Sequence, residues 1–199
     1  MTNRYTGTVD TLQAQHKDRA VRLLTLGFAA DPVCRHLYPD VEQYLRFFPE
    51  YAAVYGQPAF DHGSAHAFGH FGVALWTPPG HHADEDALQD LLERSVEKSE
   101  QQALFDVYEA FDDAHPKEPH WFLPLMAVDP HAQGQGVGAA LMEYGTKMCD
   151  RDAALAYLES TNPVNIPFYE RFGFKIDREI QIGSHPVFHT MIREPHPLK

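Results

Sequence analysis

The sequence predicts an α/β fold, α+β in the way its elements segregate, built on a mixed sheet. Three observations carry this. Trp121 to Val128 is a nearly continuous apolar run, as in a strand buried on both faces. A glycine-rich turn then leads into a long amphipathic segment, Val137 to Asp150, with Leu141 and Met148 on one side. From residue 121 onward the patterns read strand, helix, strand, helix, strand, strand.

Taken in order, residues 12–30 read as a helix with Val21, Leu24 and Phe28 on one stripe, stopped by Asp31-Pro32. Residues 33–55 read as two helical pieces broken at Pro39. Residues 65–77 alternate and carry aromatics, a hairpin or two strands halted at Pro78-Pro79-Gly80. Residues 83–114 are charged and helical, in two helices. Pro124 lacks an N–H, so the ladder of the 121–128 strand is interrupted or one-sided there. Leu155 to Ser160 is a second strand, and Ile166 to Phe172 a short helix with Pro167 in its first turn and Gly173 at its end. Residues 174–182 and 187–193 close the sheet.

Composition narrows the function classes. At 44% apolar residues the 199-residue chain supports a core, and one domain is expected over residues 1–199. A formal net charge of -12 repels phosphate backbones, so nucleic acid is not an expected partner, and it favours a cationic acceptor. No run approaches a membrane span, and Met1 to Tyr5 leads into polar sequence without a secretory h-region, so a cytoplasmic location is expected. Cys34 and Cys149 read as reduced, partly buried thiols. His62, His66 and His70 recur every four residues, but their stretch is glycine-rich and strand-like and no carboxylate joins them, so no metal is expected.

The turn Gln133-Gly134-Gln135-Gly136-Val137-Gly138 lets main-chain N–H groups face an anion with no Cβ in the way, at a helix N-terminus that adds its own free N–H groups. It is a cradle for a pyrophosphate. Gly134, Gly136 and Ala139 also fit a loose G-x-G-x-x-A dinucleotide fingerprint, with Glu159 about 20 residues on. Five intervening residues, Asp129 to Gln133, separate strand from glycine, which that fingerprint does not allow. No Gly-Lys-Ser/Thr follows, so it is not a P-loop.

Val128-Asp129-Pro130 followed by Gln133-x-x-Gly136-x-Gly138, together with Asn165 and Phe168 to Phe174, resembles the GNAT acetyltransferase superfamily over residues 121–174. Lys117-Glu118-Pro119, Trp121-Phe122-Leu123, Leu158-Glu159-Ser160 and Pro167 to Arg171 are similar to its puromycin-acetylating branch, a likeness that thins out before residue 110. The resemblance implies a mostly antiparallel central sheet, splayed at its middle and flanked by helices, with acetyl-CoA as co-substrate. It implies that the main chain of Met126, Ala127 and Val128 holds pantetheine, that Gln133, Gly134, Gln135, Gly136, Val137 and Gly138 hold the pyrophosphate, and that Asn165 and Phe168 face the coenzyme. Tyr169 matches the general acid that protonates the leaving thiolate.

The family's usual base positions on the splayed strand are Phe122 and Pro124 here, and neither can take a proton. Glu159 is the first alternative, His120 the second, and a water chain the third. Residues 1–115 are expected to form the acceptor side, with Phe47, Phe48, Tyr51, Tyr55 and Trp76 as pocket or core residues, and 116–199 the coenzyme core. The resulting expectation is transfer of an acetyl group to a primary amine of a small molecule by direct attack, in a monomer or homodimer. A coenzyme-binding regulator without transfer activity is the rival.

Overall fold

Acidic caps and prolines set the first half of the chain. In the computed structural model, which describes residues 7–197, Asp31 accepts from the N–H groups of Val33 and Cys34 to start α2 (Pro32–Leu37). Asp40 caps α3 (Val41–Tyr55), and Asp84 caps α5 (Glu85–Ser95), in the same manner. α6 (Lys98–Ala114) follows, so the two-helix readings of 33–55 and 83–114 hold. The polar run Met1 to Tyr5 lies outside the described residues.

The first predicted helix is shorter than its pattern. α1 spans Lys17–Gly27, preceded by a single 3-10 turn, because Leu12 donates its N–H to Ala65 and so extends a strand, β1 (Val9–Thr11). Neither β1 nor α4 (Gln57–Asp61) is visible in the sequence pattern. The hairpin is β2 (Ala65–Phe68) and β3 (Gly72–Thr77). It is followed by β4 (His120–Val128), α7 (Val137–Arg151), β5 (Leu155–Ser160), α8 (Ile166–Glu170), β6 (Lys175–Ile180) and β7 (Phe188–Arg193).

These strands form one seven-stranded sheet in the order β1-β2-β3-β4-β5-β7-β6. Every neighbouring pair is antiparallel except β4 and β5. That parallel pairing covers only His120 to Leu123 against Leu155 to Leu158; beyond it the two strands part. The sheet is splayed at its middle.

β4 is packed on both faces, as its apolar run predicts, and its buried residues, which alternate with half-exposed ones, divide between two cores. β4 gains one residue on β3 between Phe122, opposite Thr77, and Leu125, opposite Leu75. This bulge at Leu123-Pro124 switches the alternation. Trp121 and Leu123 before it, and Met126 and Val128 after it, pack with α7 on one face, whereas Leu125 and Ala127 join α1 and α3 on the other.

The core follows those two faces. Leu24, Tyr44, Phe48 and Leu75 are buried with α1 and α3. Trp76, Leu141, Met142 and Phe174 are buried with α7. Each such side chain contributes about 2 kcal/mol of apolar burial. A third cluster joins α2 and α6 to the β6–β7 end through Val33, Val107, Phe111 and Phe188. No helix among the described residues is long and apolar enough to cross a membrane.

Candidate active site

The parting of β4 from β5 opens a cleft of about 600 Å³. Met126, Val128, Gln133, Gly136, Gly138 and Tyr169 are among its lining residues. Glu159 and Ser160 line the β5 side, with Asn165 and Phe168 beyond them. Most of the residues picked from sequence therefore meet in one place.

Main-chain geometry sharpens the set. Asp129 donates its N–H to the Phe71 carbonyl on β3 at 2.8 Å. Antiparallel pairs alternate between bonded and unbonded, so the main chains of Leu125 and Ala127 turn to β3, opposite Leu75 and Val73. Those of Met126 and Val128 are left on the β5 side, facing the cleft. Ala127 also lines the cleft, but its amide belongs to the ladder and its side chain is buried under α1, so the main-chain groups that face the cleft are those of Met126 and Val128. The Gln133 side-chain amide reaches the Val128 carbonyl at 3.5 Å, on the cleft side. Pro124, without a donor, stands on the same side just where β5 departs, so its missing N–H costs no ladder bond.

At the far end of the cleft, Gly134 and Gly136 have φ of 70° and 84°, a left-handed conformation that costs a residue with a Cβ roughly 1–2 kcal/mol. Gly136 is the residue before α7, and the first intrahelical N–H bond is from Ala140 to Gly136. The N–H groups of Val137, Gly138 and Ala139 are thus not used inside the helix. Arg171, which also lines the cleft and lies over the Phe168 ring at 5.4 Å, brings a positive charge that the sequence reading overlooked. Gln135 and Val137 are not among the cleft-lining side chains, and Val137 is buried in the core beneath α7.

Tyr169 packs its ring against Phe168 and Phe174. Burial, and secondarily the Asp31 carboxylate, push its phenol up to about 12, so it is protonated at neutral pH. Asp31 itself accepts from Thr161 Oγ1 at 2.6 Å and lines the same cleft. Asn165 does not cap α8 through its side chain.

Glu159 lies where this cleft meets two further cavities. One, of about 240 Å³, is lined by Tyr55, Asp112, His115, His120, Phe122 and Glu159 among others. The other, of about 80 Å³, is aromatic, with Tyr51, Tyr55, Tyr108 and Glu159 in its wall. The Glu159 side chain is only 9% exposed. It accepts from the Tyr157 hydroxyl at 3.2 Å, and its Oε1 lies 3.3 Å from His115 Nε2.

His115 continues the contact. Its Nδ1 is 3.1 Å from His120 Nε2, and His120 Nδ1 is 2.9 Å from the Glu118 carbonyl. Burial lowers the His120 imidazole below its ordinary value, with the Glu118 carbonyl opposing. A carbonyl can only accept, so the proton of neutral His120 is on Nδ1 and its Nε2 accepts from His115 Nδ1–H. His115 Nε2 then faces a carboxylate oxygen, so Glu159, His115 and His120 form one connected chain of polar contacts. Glu159 and His120 were legible from their strand positions; His115, at the end of α6, was not, because only the fold brings it to them.

The remaining expectations sort as follows. Trp76 is fully buried with α7, away from the cavities at Glu159, whereas Phe48 is buried in the core and also lines the aromatic cavity with Tyr51 and Tyr55. Cys149 is buried and its thiol pushed up to about 12, an inert position. His62, His66 and His70 lie after α4, in β2 and in the hairpin turn, and do not converge.

Residues 97–176 match the acetyltransferase (GNAT) domain model. The chain is 27% identical over 202 residues to an uncharacterized N-acetyltransferase of Schizosaccharomyces pombe, covering 92% of this chain and 82% of that one. An acetyltransferase structure from Corynebacterium glutamicum, described as histone acetyltransferase HPA2 and related acetyltransferase, superposes with a TM-score of 0.69 at 23% identity over 98% of this chain and 99% of that one. A Drosophila melanogaster polyamine N-acetyltransferase does so at 0.71 with 14% identity over 95% and 100%. With the splayed sheet and the glycine turn, these matches support an acyltransferase whose residues 97–176 match a GNAT acetyltransferase domain.

Proposed function

We propose that the protein transfers an acetyl group from acetyl-CoA to the primary amine of a small, cationic molecule by direct attack. The observation that carries this is the placing of Glu159, a nearly buried carboxylate at the junction of the coenzyme cleft with the two side cavities. A cationic amine is drawn to Glu159 and Asp112 from the side of the Tyr55 and Phe122 rings. The Drosophila neighbour's described product, N-acetylagmatine, and an arylalkylamine N-acetyltransferase from Aedes aegypti of the same fold support an amine of this size.

In this reading the Gln133–Gly138 turn and Arg171 hold the pyrophosphate. The pantetheine arm lies along Met126 and Val128 like an added strand, and the thioester carbonyl is polarised by a main-chain N–H there. Asn165 and Phe168 flank the arm.

The incoming ammonium gives a proton to Glu159. Glu159 passes it to His115 Nε2 as His115 gives its Nδ1 proton to His120 Nε2, so that the charge moves outward to His120 and from there to solvent. The neutral nitrogen attacks the thioester carbon, the C–S bond breaks, and Tyr169 protonates the thiolate, whose conjugate acid lies near about 8.5. Catalysis rests mainly on holding amine and thioester together. The residues before 116 form most of the acceptor side, although Gly27, Phe28 and Asp31 reach into the coenzyme cleft.

The test is amine-dependent release of CoA across polyamines, arylalkylamines and aminonucleosides, with products read by mass spectrometry. An acetylated amine supports the reading. Tight acetyl-CoA binding with no product from any amine supports a coenzyme-binding regulator instead.

A further inference from the structure

Away from the cleft, one cluster stands out. His36 on α2, Glu100 on α6 and His185 in the β6–β7 connection bring one ligand atom each to within 4.8 Å of one another. His185 is 1% exposed, and neither of its ring nitrogens has a hydrogen-bond partner; His36 Nε2 is likewise buried and unpartnered. A neutral imidazole has one donor and one acceptor to satisfy, and leaving both unmet in a buried ring is costly. The two rings meet edge-on with centroids 4.5 Å apart, and His36 Nε2 lies 3.7 Å from Glu100 Oε2, too long for a hydrogen bond.

We propose that His36, Glu100 and His185 bind one zinc-type divalent cation. Two imidazoles and a carboxylate are the ligand set such an ion takes, with a fourth position left to water. Zinc bonds of about 2.0–2.1 Å put ligand atoms roughly 3.3 Å apart, a small inward rotation from the present spacing, and the partly exposed Glu100 has the freedom to make it. The ion gives the orphaned nitrogens a partner. It also clips α2 and α6 to the β6–β7 end along the rim of the third core cluster, where Val33 and Phe111 meet Phe188. α2 begins at Asp31, whose carboxylate lines the coenzyme cleft, so the clip fixes an element that reaches the reaction centre without entering the chemistry.

The experiment is titration of the full chain, stripped with EDTA, with Zn²⁺ by calorimetry, and with Co²⁺ by visible absorption. One saturable site per chain, a tetrahedral cobalt spectrum and a rise of about 5 °C in the melting midpoint at saturating zinc are expected. His36→Ala and Glu100→Gln should each weaken zinc at least tenfold and remove the cobalt bands, and His185→Ala should abolish both. Should the buried His185→Ala variant fail to fold, the two helix-surface variants decide. Absence of a saturable site in the wild type, or an affinity unchanged in His36→Ala and Glu100→Gln, overturns the proposal.

Discussion

The two ends of the cleft are built on different principles. The end proposed for the coenzyme is main chain: left-handed Gly134 and Gly136, the free N–H groups opening α7, and the edge of β4 at Met126 and Val128. The cavity proposed for the acceptor, joined to the cleft at Glu159, is side chain: Glu159 from β5, His115 from the end of α6, His120 and Phe122 from β4, and Tyr55 from α3. A main-chain site leaves a local signature, because it needs glycines at fixed spacing. A side-chain site is assembled from distant segments, and its parts change without disturbing the fold.

That contrast can be broken by mutation. The largest effect is expected at Glu159→Gln, which keeps the shape and removes the proton acceptor: kcat/KM for the amine should fall about 10³-fold with acetyl-CoA affinity unchanged, as steady-state rates and calorimetry would show. A parallel loss of coenzyme binding would mean that the two ends are not separable.

The contrast extends to stability. His66, buried in the hairpin of the first half, has its imidazole lowered to about 4 by burial. The unfolded chain takes up this proton below about pH 6.5 and the folded chain only near the lowered value, so stability is full above pH 6.5 and is lost as pH falls toward 4. The loss is at most about 3 kcal/mol. Thermal melts of wild type and His66→Gln between pH 4 and 7 should show a flatter profile in the variant.

Tyr169→Phe, on the coenzyme side, should lower kcat about 10²-fold while acetyl-CoA affinity stays within about twofold. Unchanged turnover would remove Tyr169 from the protonation step. Gly136→Ala, at φ of 84°, should act on the opposite parameter, raising the acetyl-CoA dissociation constant about tenfold with the amine KM unaltered.

The sequence carried the strand–helix order, the cleft's glycine turn and the positions of Tyr169 and Glu159, since periodicity and glycine spacing are local properties. It did not carry β1, because three residues at an edge have no periodicity to detect. The apolar run showed that β4 is packed on both faces, but not the bulge at Leu123-Pro124, which switches the alternation and sets the Ala127 main chain away from the cleft. His115 carries no motif, and Arg171 lies in one without its charge standing out; what each faces comes from the fold.

The most direct test is titration of the purified chain with acetyl-CoA. The parted strands and the amide-lined turn predict saturable binding with a dissociation constant within about 1 μM to 1 mM, weakened by Gly136→Ala and indifferent to Glu159→Gln. No heat at millimolar acetyl-CoA, or binding unaffected by Gly136→Ala, would contradict the assignment of this cleft to the coenzyme.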